Sequence, residues 1–435
     1  MAFSSSQKGQ VLVLGSLLMA VLALVTVRYL QTDHVLAGKV RQTHALDAAA
    51  YSGALVQART LNTLAFINRA HVAHQVAMAH LVTLASWAML GGTKANQLAQ
   101  GNPPAHLIGM LFGPDHGSAY LMARKATGFA AYASTGGELA QAFAQHDNTI
   151  RQSLMQAQNH LVQTLEHERE HVIRHVLHRN YPKVEPLAFN VKVSAAPFEQ
   201  RLVLQSGQGD LRALVQQAAH LYRFLDRRDH TERNHWAVDP RCPHLRHQLR
   251  RRGHTFLGPD GRWQSIDTES FHALRSNRWV GCYYREYPMG WGWIPGAHSQ
   301  SFQQEHVADP PDSFSAQDFW RWVQESTDWN LLDDSDNRLA NSRAVATRQV
   351  WFGGGLPAIF QLINEARQQP FHIGLTLHHP LASGQTITTH SAAESFFERP
   401  VRRTDTLDEQ ASLFRPYWQA RLAASRPVQF WQRSP

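Results

Sequence analysis

The amino-acid sequence predicts an α+β protein in which an N-terminal single transmembrane helix continues into an α-helical region, followed by a β-rich mixed C-terminal region. Three observations carry this reading. Residues 11–27 are uncharged and almost wholly apolar; no proline precedes Pro103, in a segment dominated by Ala, Leu, Val and Gln; and beyond Pro182 the helical hydrophobic period gives way to alternation. On these changes the chain divides into residues 1–10, a span at 11–30, a helical segment at 31–102, a second helical region at 103–181 and a β-rich mixed region at 182–435.

The apolar run in "QKGQVLVLGSLLMAVLALVTVRYL" is just long enough to cross a bilayer core, with Arg28 placed to snorkel at its end. The rival reading is a cleaved secretory signal, with Lys8 as its basic region and "VLAG" (Val35 to Gly38) as the cleavage site. Arg28 and Asp33 separate that site from the apolar run, which favours an uncleaved anchor. Charge orients the span weakly, because Lys8 stands on one side and Arg28, Lys39 and Arg41 on the other.

The stretch Asp47 to Leu90 is rich in small residues, which allow close backbone approach. Ala48, Ala49, Ala50 and Gly53 form a helix-packing interface on this reading, against partner helices or, in the plainer alternative, inside an Ala-rich core. "GNPPAH" and "FGPDHG" interrupt the pattern. Ser118 to Ser134 and Glu138 to Arg179 then read as helices separated by "TGG", and Pro182 ends the second.

The stretch "TLEHEREHVIRHVLHRNY" holds a literal H-E-x-x-H at His167, Glu168 and His171, the spacing of two zinc ligands and a general base. Helical geometry gathers Leu161, Val162, Leu165, Val172, Ile173 and Val176 into an apolar stripe and turns His160, His167, His171, His175 and His178 towards solvent. The pair His171 and His175 suits a metal equally well, and 26 histidines in 435 residues make a chance match common. A polar helix face is therefore the preferred reading, and a membrane-bound zinc metallopeptidase the alternative.

Beyond Pro182, "FNVKVSA" (Phe189 to Ala195) and "FHIGLTLHH" (Phe371 to His379) alternate as half-buried strands, and "DLRALVQQAAHLYRFLDRR" (Asp210 to Arg228) reads as an amphipathic helix. "RWVGCYYREYPMGWGWIPG" and "RQVWFGGGLP" read as aromatic strands ending in Gly/Pro turns; the latter lacks the Lys and Ser/Thr of a phosphate-binding loop. Eleven of the twelve tryptophans lie after residue 230, suggesting a buried β core, with a glycan-binding surface as the rival. The densest basic run, His244 to His254, reads as a solvated loop. The net charge of +8 is dispersed and no nucleic-acid motif accompanies it, so no nucleic-acid partner is expected. Cys242 and Cys282, the only cysteines, are compatible with one disulfide in an exported region; the alternative is two buried thiols. Cys242, His244 and His247 together lack a fourth zinc ligand at fingerlike spacing. No G-x-S-x-G elbow occurs, and the sequence calls for no cofactor, resident metal or catalytic residue.

The segment "KGQVLVLGSLLMAVLALVTVRYLQTDHVLAGKVRQTHALDAAAYSGA" resembles the N-terminal part of bacterial Flp (tight-adherence) pilus-assembly proteins of the TadE/TadG-like group. It shares Gly9 and Gln10 directly before the membrane helix, a polar helical continuation, and "DAAAYSGA" where that group carries an Ala-rich run. "LNTLAFINRAHVAHQVAMAHLVTLASW" and "SFFERPVRR…ASLFRPYWQARLAA" are similar to segments of a proteobacterial TadG-related subgroup. The resemblance implies a non-enzymatic, single-pass bacterial inner-membrane protein. Residues 1–10 would be cytoplasmic and the bulk periplasmic, and the partners would be other pilus-assembly or pseudopilin-like membrane proteins of a type IV-like pilus or related secretion system. Two departures limit it. Leu14 stands where pilin-type members processed by prepilin peptidase carry Glu, and "LLDDSDNRLANS", with Asp333, Ser335 and Asn337, matches only imperfectly the D-x-S-x-S metal loop of some TadG proteins.

Overall fold

The structure, a computed structural model, describes residues 8–99, 103–125, 128–206, 209–279, 281–294, 355–380, 384, 386–401, 404–405 and 409–424. It is α+β. Helix α1 (Lys8–Ala99) runs unbroken for 92 residues, as a proline-free, Ala- and Leu-rich segment permits.

Next come α2 (Ala105–Phe112), α3 (Pro114–Lys125), α4 (Phe129–Tyr132) and α5 (Glu138–Asn148). A π-helical turn (Thr149–Leu154) then joins α5 to α6 (Met155–Asn180). The helix expected over Ser118 to Ser134 is two helices, because Gly128 turns the chain at φ +98°. Helix α7 (Asp210–Leu221) stops short of the expected Arg228. Arg223 is left-handed at φ 56°, which turns Phe224 and Leu225 into the interior.

The chain forms two units, neither continuous in sequence: residues 1–66, 158–203 and 360–435 make the first, and 67–157 and 204–359 the second. The region 182–435 therefore contributes to both. The first unit is built on an antiparallel sheet in the order β1 (Asn190–Ala195), β8 (Phe371–Pro380), β9 (Thr386–Phe397), β10 (Trp418–Ala423). Leu46, Ala50 and Ala54 recur at helical spacing on α1 and pack with Ile173 and Leu177 of α6 against Val191, Ile373, Leu375, Leu377 and Ala393 of the sheet. A second cluster continues this core through Leu61, Leu64, Val162, Leu165, Phe371 and Trp418, and takes in Leu362 and Ala366 of α8 (Asn364–Gln368).

Polar side chains of α1 fix it to sheet backbone. Gln42 donates to the carbonyls of Leu377 and Ile387, and Asn62 exchanges two 2.9 Å hydrogen bonds with the main chain of Trp418. Each pairing satisfies backbone groups that burial would otherwise strand. Strands β2 (Leu202–Ser206) and β7 (Ala358–Leu362) form a small separate sheet.

The second unit holds the antiparallel sheet β3 (Arg228–Arg233), β4 (Gln248–Leu257), β5 (Trp263–Asn277), β6 (Gly281–Ile294). Leu98 of α1, Ile108, Leu111 and Phe112 of α2, and Tyr120 of α3 pack with Leu249, Phe271, Ala273 and Met289 of this sheet.

One sequence expectation is corrected here. The basic run His244 to His254 is not a solvated loop, since most of it is the internal strand β4. Its charges are accommodated because Arg252, 7% exposed, lies 3.6 Å from Asp229, and the Arg251 guanidinium sits 3.9 Å from the centre of the Trp87 ring. Gly290 and Gly292 of "MGWGW" lie within β6. There a Cβ would fall 2.6 Å from the Lys94 nitrogen and 2.1 Å from the Ser86 carbonyl of α1, so only glycine allows that approach.

Candidate functional site

The first candidate site is the beginning of α1. From Val11 to Leu30 every large apolar side chain is more than half exposed, and the helix is long and apolar enough to cross a membrane. Its Ser and Thr hydroxyls are satisfied within the helix: Ser16 donates to the Val13 carbonyl at 2.9 Å and Thr26 to that of Leu22 at 2.8 Å. Such bonds keep polar side chains tolerable in lipid. Immediately beyond lies a shallow groove of about 560 Å³ lined by Asp33, Leu36, Val40, Arg41, His44 and Asn180. Arg41 is fixed there by donating to the Asn180 carbonyl at 3.0 Å and lying over the Tyr181 ring.

The small-residue interface is placed differently from its expectation. Ala49, Ala50 and Gly53 are buried within the first unit, and only Ala48 is exposed. A Cβ on Gly53 would meet Ile173 Cδ1 and Cγ1 of α6 at 3.0 Å. The close approach that small residues permit is taken up by the chain's own α6 and sheet, leaving Ala49, Ala50 and Gly53 unavailable to a partner helix.

On α6, Val162, Leu165, Ile173 and Leu177 are buried, whereas His160, His167, Glu168, His171 and His175 are exposed; His178 is half-buried and hydrogen-bonds the Val184 carbonyl. The His171 and His175 rings lie stacked with centroids 6.4 Å apart. No group of three or more His, Cys, Asp or Glu arranged to hold a metal occurs among the described residues, so His167 and His171 have no third such ligand there. Arg169 shares the apolar face, 6% exposed, with Nη1 donating to Gln57 Oε1 at 3.0 Å.

Cys242 and Cys282 are joined as a disulfide, which takes Cys242 out of any zinc set with His244 and His247. Among the described residues, Trp263 and Trp418 are core tryptophans and Trp87, Trp236 and Trp279 are exposed. Asp333, Ser335 and Asn337 lie outside the described residues.

A second candidate site went unmarked in the sequence. In the second unit, His74 of α1 meets His146 of α5, Nδ1 to Nδ1, at 2.8 Å. One turn earlier, His71 is fully buried with neither ring nitrogen hydrogen-bonded among the described residues. Burial, with His74 beside it, lowers the His71 pKa to about 4; burial and then His146 lower that of His74. The only available signal was His71 and His74 at i and i+3, which place both on one helix face without revealing the partner 72 residues away. Elsewhere in the unit, burial raises the Asp267 pKa to about 6 although the Arg228 guanidinium lies 3.2 Å away.

No protein-family model, curated protein or solved structure matches this chain.

Proposed function

We propose that the protein is a membrane-anchored component of Flp (tight-adherence) pilus assembly or a related secretion system. It is held by residues 11–30 in the bacterial inner membrane, with the folded units in the periplasm. The single observation that carries the proposal is the wholly exposed apolar start of α1, continuous with the helix that enters the folded core. An apolar helix of that length left uncovered by its own chain calls for lipid or another apolar partner. The Cys242–Cys282 disulfide supports a compartment outside the reducing cytosol, and the TadE/TadG-like resemblance of the N-terminal segment supplies the pilus context.

With Ala49, Ala50 and Gly53 covered internally, lateral contact with pilus-assembly or pseudopilin-like partners falls to the span and the exposed surfaces of the units. The test is deletion of the gene, complemented either by the intact chain or by a form exported without residues 11–30. Pili and surface adherence are lost on deletion and restored only by the anchored chain. Normal pili in the deletion strain contradict the proposal.

A further inference from the structure

We propose that copies of this chain associate in parallel through the start of α1, as a short coiled coil that continues out of the membrane to the edge of the first unit. The inference rests on the membrane anchor proposed above, which holds every copy in the same orientation.

The span accounts for only part of the exposed apolar surface. Residues 11–30 rise about 30 Å along the helix axis, the thickness of the hydrocarbon core. Leu36 stands about 9 Å and Val40 about 15 Å beyond Leu30 on the same axis. Lipid tails do not reach them, yet they are 60% and 47% exposed, and Tyr29 at the bilayer boundary is 72% exposed. Counted from Val11 in alternating steps of four and three, every residue through Leu36 is uncharged. That is the seam spacing of a left-handed coiled coil. At and beyond the boundary its members are Tyr29, Thr32 and Leu36, and the Thr32 hydroxyl is already satisfied by donating to the Arg28 carbonyl at 2.9 Å. The stripe ends where the fold begins, since Gln42, Ala45 and Leu46 are buried within the first unit. The shallow groove that includes Asp33, Leu36 and Val40 is its last stretch.

Two charges identify the occupant as another copy. With Tyr29 and Leu36 at heptad position a, Arg28 falls at g and Asp33 at the e position that follows. In a parallel coil, g of one helix faces the following e of its neighbour, so Arg28 meets Asp33 of the second copy and the pair recurs by symmetry. Within one helix the two lie about 140° apart and do not meet, and neither side chain has an ion pair among the described residues. The anchor sets the copies parallel and without stagger, so each seam residue meets its own counterpart.

The experiment uses the full-length chain in its own membranes, with the Cys242–Cys282 bridge kept and one cysteine added at a time, under mild oxidation. Tyr29→Cys and Leu36→Cys give disulfide-linked dimers, because facing seam positions lie within crosslinking reach. Gln31→Cys and His34→Cys, exposed but off the seam, give about a fifth as much or less. Adding Arg28→Asp or Asp33→Arg to Leu36→Cys turns attraction into repulsion and lowers the dimer roughly fivefold. The two together restore it, which a merely structural lesion at either position would not do. Equal crosslinking on and off the seam, a heterologous adduct in place of the dimer, or no restoration by the double reversal overturns the proposal. Alkaline carbonate extraction of the same membranes separates the two readings. A retained chain that does not crosslink at Leu36→Cys overturns the helix pairing and leaves the anchor standing, whereas a released chain overturns the anchor and the pairing with it.

Discussion

Gly53→Ala tests the internal packing of α1 most sharply. In an isolated helix the substitution would stabilise by about 0.8–1.0 kcal/mol. Here the new methyl arrives 3.0 Å from Ile173 Cδ1 and Cγ1, and forcing extra volume into a filled core costs about 1–3 kcal/mol. The net expectation is a loss of about 0–2 kcal/mol. Ile173→Ala alone removes both contacting atoms from a fully buried position and costs about 2–5 kcal/mol. Combined with Gly53→Ala it costs less than the sum, since the methyl then occupies vacated space, and the coupling is about 1 kcal/mol or more. Urea unfolding of the full chain in detergent, followed by far-UV circular dichroism across the four members of the cycle, gives these differences from the midpoints. Stabilisation by the whole helix-propensity gain, or additivity within about 0.5 kcal/mol, would refute the packing of Gly53 on Ile173.

Buried His71 makes stability pH-dependent. The unfolded chain takes up its proton near 6.5 and the folded chain only near 4, so this contribution is complete above pH 6.5 and lost as the pH falls to 4. The lowering is worth about 3 kcal/mol, and His71→Leu narrows the stability difference between pH 7 and pH 4.5 by roughly 2 kcal/mol; an unchanged difference contradicts the burial. Cys242→Ser opens a crosslink between cysteines 40 residues apart, and loop entropy sets the loss at about 4 kcal/mol. Thermal melts with and without reductant are the check, and coincident melts would show that the bridge does not constrain the chain.

The sequence made some of this fold legible and not the rest, for identifiable reasons. The α6 stripe was readable because Val162, Leu165 and Ile173 repeat at helical spacing, and β1 and β8 because they alternate. Arg169 on that same apolar stripe was unreadable, since the Gln57 side chain that accepts from its Nη1 lies 112 residues away. The small residues around Gly53 signalled close packing correctly but not what packs there. Gly290 and Gly292 are required within a strand because Lys94 and Ser86 of α1 come too close for a Cβ, a neighbour that local pattern does not reveal. In the candidate site, His167 and His171 attracted attention through local spacing, whereas His74 and His146 met only through tertiary packing.

On the proposed function, α1 crosses the membrane once and leaves the folded units outside the cytoplasm. This placement is tested most directly by fusing a reporter active only in the periplasm after Arg41 and after Pro435, with N-terminal sequencing of the mature chain. Reporter activity from both fusions and an intact amino terminus are the expected result. Cytoplasmic placement of either fusion would rule out a single crossing with an exported core, and cleavage after Gly9 would replace the anchored assembly component with a processed, pilin-like subunit.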